Sequence, residues 1–294
     1  MNKVQLKLNN HYLSNTNFKT NFPIETGYEQ YNVDNSLWNI PFDKLGAISF
    51  TSSKSNLQKI APECFFIRME GYEKDYTWAE KMTKTAVGVS DKVKQKLHFA
   101  EILNYVCEEV AKINDSECFG KPRAFHSGIT IYEDKGRGRE YFPRYAEKLS
   151  KTYGEFSPEN DYGFRIPYTS QVYEKGSKSA GGKHHITVLY GRNHDIYSTE
   201  NNLGLCERAY NKLISKDKPT EEEVLKTCAI IQWLIAQQCP YIKGNDSIAN
   251  LLAKGIMHCY GLKILPIKEG HSLDFEAFYS DLDEYIKNYP NFFE

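Results

Sequence analysis

Net charge is almost absent from this chain of 294 residues, because 37 lysines and arginines are offset by 38 acidic residues. No bulk field gathers nucleic acid or an anionic membrane, so binding has to come from a local site. Paired cysteines are absent too. The seven cysteines, at positions 64, 107, 118, 206, 228, 239 and 259, form no CxxC motif. Cys206, Cys228 and Cys259 fall on the apolar faces of predicted helices, the usual setting of reduced core thiols. The opening residues MNKVQLKLNNHYL alternate Val4, Leu6 and Leu8 with polar side chains and lack the apolar run of a signal peptide or membrane span. Sec-type export and membrane spanning are therefore not expected. Export by a specialised, signal-independent apparatus is compatible with the same composition. Internal repeats and low-complexity tracts are also missing.

What is present is enough apolar (40%) and aromatic (14%) side chain to bury a substantial core, as one large domain or two closely packed lobes. Residues 1–90 mix short alternating runs with Asn, Ser and Pro, which predicts short strands and loops. Residues 90–114 place Leu97, Leu103, Val106, Val110 and Ile113 near helical spacing, with Ser90 or Asp91 as N-cap. HSGITIY (126–132) and KHHITVLY (183–190) read as strands, and the Gly- and Pro-bearing stretch between them, 154–182, as flexible or substrate-facing. From Thr199 onward the pattern is helical. One helix carries Leu203, Cys206, Tyr210 and Leu213. The next opens with a Thr220/Glu223 capping box and stops at Pro240. A third starts near Asp246 or Ser247 and ends at Gly261, and a fourth follows Ser272 with Phe275, Phe278, Tyr279, Leu282 and Ile286 on one face. The fold class expected is α+β, mainly α, with a mixed N-terminal part (1–190) and a helical core (191–294).

The segment with chemical potential is Cys239-Pro-Tyr-Ile-Lys-Gly-Asn245, which joins two apolar helices. Unpaired N–H groups and the positive dipole end at the start of the Ser247 helix suit a phosphate, with Gly244 giving backbone access and Lys243 adding a full charge. A plain helix corner with a solvated lysine would have the same sequence. Asp274, near a helix start, could orient or deprotonate a hydroxyl, or serve only as an N-terminal helix charge. His194 and Arg192 sit in a turn after a strand, where a catalytic or phosphate-contacting group and a solvated surface residue are both possible. Lys183, His184 and His185 begin a strand that sends the two histidines to opposite faces, against a paired metal site. Arg137-Gly-Arg139 lacks the Lys-Ser or Lys-Thr of a phosphate loop.

PYIKGNDSIANLLAKGI (240–256) resembles the Fic motif H-x-F-x-(D/E)-G-N-G-R, with Tyr241, Gly244 and Asn245 in register. Cys239 stands at the position of the Fic histidine, Lys243 at that of the metal-holding acid, and Asp246 and Ser247 at those of the final Gly and Arg. The chain is more similar to AvrB-type bacterial effectors, a divergent Fic-related (Fido) branch, which likewise lack that histidine and carry a basic residue before Gly-Ser. The similarity runs through the Gly261-Leu262 turn, the loop 266–270 and Asp274-Phe-Glu-Ala-Phe278, and backward through the Thr220 helix to His194. It covers about a third of the chain.

The resemblance implies a Fic/AvrB-like helical core that binds a nucleotide or nucleotide-sugar donor without a metal, using Lys243, Gly244, Asn245, Ser247 and Arg192. His194 and Asp274 would be catalytic, and residues 1–190 would form an acceptor-binding lobe. It also implies an effector that enters a host cell by a specialised secretion system, works in the host cytosol and transfers a group, a sugar first of all, to a Ser or Thr of a host protein. The alternatives are a Fic-like nucleotidyl (AMP) transferase and a non-catalytic nucleotide- or protein-binding module.

Overall fold

The computed structural model describes residues 76–123, 127–134, 138–153, 164–165, 171–175, 185–190, 194–268 and 270–293. The strands expected before residue 76 lie outside the described residues. Helices α1 (Tyr76–Lys94) and α2 (Phe99–Ile113) come first. A small sheet follows, made of β1 (Ser127–Tyr132), β2 (Phe164–Arg165), β3 (Gln171–Lys175) and β4 (His185–Tyr190), and α3 (Phe142–Tyr153) lies between β1 and β2 in sequence. The chain continues as α4 (His194–Ile214), α5 (Glu221–Gln238), α6 (Asn245–Cys259), α7 (Leu273–Tyr279) and α8 (Leu282–Asn288). The described part is mainly helical, as expected of the α+β class.

The two expected strands pair with each other antiparallel, from Ser127 opposite Tyr190 to Tyr132 opposite His185. The sheet order is β1-β4-β3-β2. The stretch read as flexible supplies β2 and β3, because Val172 and Tyr173 favour a pleated surface once β4 offers an edge.

Residues 76–90, read as strand and loop, form the first four turns of α1. Ala79, Met82, Ala86, Val89 and Val93 make its buried stripe, and alanines at two of these positions leave little hydrophobic periodicity to see. The helix expected across 90–114 is two helices. Lys96 takes a left-handed conformation (φ 54°), which ends α1, and α2 restarts after His98, whose N–H is capped by the Glu101 carboxylate at 3.3 Å.

Helix α6 is the centre of the bundle, buried without a break from Ser247 to Met257, and it packs on α1, α5 and α2. A helix covered on all sides shows no clean amphipathic stripe. Gly255 sets how closely α1 can approach, since a Cβ there would lie 2.4 Å from Val89 Cγ1 and 2.8 Å from the Ala86 carbonyl oxygen. Helix α5 begins with the expected capping box. Glu223 N–H donates to Thr220 Oγ1 (3.2 Å) and Thr220 N–H to Glu223 Oε2 (2.9 Å), a cap that contributes about 1 kcal/mol. Gly261 is left-handed (φ 71°) just past α6, as expected. The last expected helix breaks at Ser280, and Asp281 caps α8 by accepting from Glu284 N–H at 2.8 Å. Asp is among the strongest N-caps, so one turn of apolar spacing yields to it.

Candidate functional site

The turn between α5 and α6 is built to hold one shape. Cys239 ends α5 in a left-handed conformation (φ 42°), and Pro240 cannot extend the helix. Arg123 closes the end of α5 from outside, its Nε donating to Cys239 O (2.9 Å) and its Nη2 to Gln238 O (3.2 Å). Residues 119–123 run beside the turn. Gly120 N–H donates to Lys243 O (3.1 Å), Ile242 N–H to Lys121 O (2.9 Å) and Arg123 N–H to Pro240 O (2.8 Å). Asn245 staples the turn from inside, since its amide accepts from Tyr241 N–H (2.9 Å) and donates to Tyr241 O (2.8 Å).

Gly244 is the residue before α6, with φ 85°. The space a side chain would take there is filled by the protein itself, because a Cβ would lie 2.9 Å from Phe119 and 3.1 Å from Val110. The glycine therefore serves a left-handed backbone and close packing on α2. The Lys243 side chain is exposed, and Ser247, in the first turn of α6, is buried. Cys239 is buried, with its Sγ donating to Ala236 O at 3.2 Å.

Asp274 lies in the first turn of α7, 7% exposed, where its Oδ1 accepts from Ser272 Oγ (2.8 Å) and Phe275 N–H (2.9 Å). A second carboxylate, Glu276, stands two residues on in the same helix. Its Oε1 accepts from Tyr141 OH (3.1 Å) and Arg144 Nη1 (2.9 Å) and pairs with His271 Nδ1 (2.9 Å), while Oε2 accepts from Arg144 Nη2 (2.9 Å). Tyr141 OH in turn accepts from Ser272 N–H (2.7 Å), so one phenol ties the start of α7 to Glu276. Burial on its own would raise the Glu276 pKa. The guanidinium of Arg144 and then His271 outweigh it and hold the carboxyl below its ordinary value.

Tyr285 of α8 holds the start of α7. Its fully buried hydroxyl, which donates to Leu273 O (3.3 Å), is pushed well up by burial and then by the charges of Asp246, Glu276 and Asp274. His194 is the first residue of α4, and its side chain lies outside the described residues, as do Arg192 and Arg137. Gly138 lies against the ring of Phe275, where a Cβ would fall 2.6 Å from two ring atoms.

Sequence reasoning passed over Tyr141, Arg144, Glu276 and the polar line Asp246, Asn250, Lys254 along α6. The first three meet across more than 130 residues of chain and leave no local signal. The second group had one, polar residues spaced by four in an otherwise apolar helix.

Residues 204–294 match the family model AvrB_AvrC, avirulence protein. The match takes in α5 to α8 with Lys243 and Asp274, and it is consistent with an AvrB-type bacterial virulence effector. No curated protein matches the chain. Among the described residues, no helix is long and apolar enough to cross a membrane, and no three His, Cys, Asp or Glu side chains are grouped to hold a metal ion.

Proposed function

We infer that the protein is an effector transferase that moves a sugar from a nucleotide-activated donor to a Ser or Thr hydroxyl of a host protein. The observation that carries this reading is that an exposed Lys243, on a turn braced from both sides, and a buried Asp274, in the first turn of α7, both lie inside the segment that matches the avirulence proteins. In the reaction the acceptor hydroxyl gives its proton to Asp274 or His194 and its oxygen bonds to the anomeric carbon. The bond from that carbon to the diphosphate breaks, and the electron pair leaves on the phosphate oxygen. Lys243 and the first-turn N–H groups of α6 stabilise that developing charge, the role a metal ion plays in many transferases. Arg192 adds a second cation, and Gly244, Asn245 and Ser247 shape the helix start.

The test is a panel of nucleotide sugars incubated with the protein and host lysate, read by mass shift, with donor binding measured by calorimetry. Transfer is expected from at least one donor, and Lys243→Ala is expected to weaken donor binding at least tenfold while the protein stays folded, because the side chain is exposed. No binding and no transfer across the panel overturns the reading. Label transferred from ATP instead makes the protein a nucleotidyl or phosphoryl transferase.

A further inference from the structure

Helix α6 carries a lysine where bulk packing calls for an apolar residue. Lys254 is 1% exposed, inside the stretch of α6 that is buried without a break from Ser247 to Met257. A lone ammonium there is costly, so its neighbours explain why it is kept. One turn earlier is Asn250, fully buried, and one turn before that is Asp246 in the first turn of the helix. Asn250 Nδ2 donates to both the carbonyl oxygen and Oδ1 of Asp246, each at 3.0 Å. With two acceptors on that side the amide orientation is fixed, and the Asp246 carboxylate is turned down the helix and away from its N-terminal N–H groups. Side chains on a helix lean toward its N-terminus, so the lysine reaches back over Asn250 toward Asp246. Burial lowers the Lys254 pKa to about 7, and the attraction of Asp246 opposes that fall.

A carboxylate in the first turn normally settles on the helix N-terminus and would repel a phosphate arriving there. Resting on the donor-site reading above, we propose that Lys254 is a positioning residue: a buried counter-ion that offsets the charge of Asp246, whose carboxylate Asn250 holds, leaving the start of α6 open to a diphosphate. With Lys254 protonated, Asp246 and Lys254 act as one neutral unit, and the net positive charge at the helix start belongs to Lys243 and the backbone.

The experiment uses the full chain and measures binding of ADP, GDP, UDP and dTDP by calorimetry. For the diphosphate that binds best, Lys254→Met is expected to weaken affinity at least tenfold, because Asp246 is left uncompensated. Lys254→Arg is expected to bind like the native protein. The double variant Asp246→Asn/Lys254→Met should return to within about threefold of native affinity, since neither charge remains. A double variant as weak as Lys254→Met, or a Lys254→Met protein that binds like native, overturns the proposal while leaving the donor site standing. If Lys254→Met does not fold, Asp246→Asn alone decides: it must bind at least as tightly as native protein, and weaker binding overturns the proposal. Native protein that binds none of the four overturns both readings.

Discussion

Arg144 and Glu276 face each other through two parallel hydrogen bonds of 2.9 Å, although 132 residues separate them in sequence. The guanidinium also lies 4.4 Å from the Tyr279 ring centroid and 5.1 Å from that of Tyr141, so it is held by planar stacking as well as by charge. This pair fastens the first turn of α3 to α7, the helix that carries Asp274.

Removing the arginine leaves a carboxylate that is only 3% exposed. Arg144→Met is expected to cost about 2 kcal/mol of stability, less than for a fully buried pair because the guanidinium itself is 41% exposed and partly screened. Arg144→Lys should recover little of it, since a point charge replaces a stacked, bidentate fork. Urea unfolding curves of the three proteins check this, and equal midpoints would refute it.

Acid should act through the same carboxylate. The Glu276 pKa is lower in the folded protein than in the unfolded chain, so its stabilising contribution is complete above the unfolded value near 4.5 and is lost as pH falls toward the folded one. Glu276→Gln is expected to be less stable than native protein at pH 7 and to lose less stability between pH 5 and pH 3. Thermal midpoints across that range measure the difference, and parallel curves would contradict the assignment.

Gly244→Ala tests the turn without touching a charge. The left-handed backbone (φ 85°) and the contact with Phe119 together are expected to cost about 2 kcal/mol and to shift Lys243. Calorimetry should show weaker nucleotide binding even at temperatures where the variant is fully folded. Unchanged stability would mean that Phe119 gives way freely.

Helices α5 and α6 were readable in the sequence because their signals are local: the Thr220 hydroxyl and Glu223 carboxylate three residues apart, Pro240, and the left-handed Gly261. Asp274 and Lys243 could be singled out by charge type and resemblance, while Glu276 looked like any solvated helix acid because Tyr141 and Arg144 are far upstream. The break at Lys96 was hidden for another reason. Apolar spacing continues across it, and only the backbone of one residue with no turn-forming side chain reverses the helix. Gly244 was read as opening the backbone to a ligand, but the space beside it is filled by Phe119 and Val110, a contact that spacing cannot reveal.

Arg123 reaches across 116 residues to cap Cys239, and that reach has a kinetic meaning. Contacts that close long loops are the slow ones in folding, so the Lys243 turn takes its final form only after the chain has come together around α6. A chain truncated before α4 keeps the residues that match the avirulence proteins, yet it loses the brace that aims their cation and the α1 and α2 surfaces that shield α6. The proposed activity is therefore tied to the upstream brace as well as to the C-terminal helices, and a proteolytic fragment of those helices is expected to lose it before it unfolds.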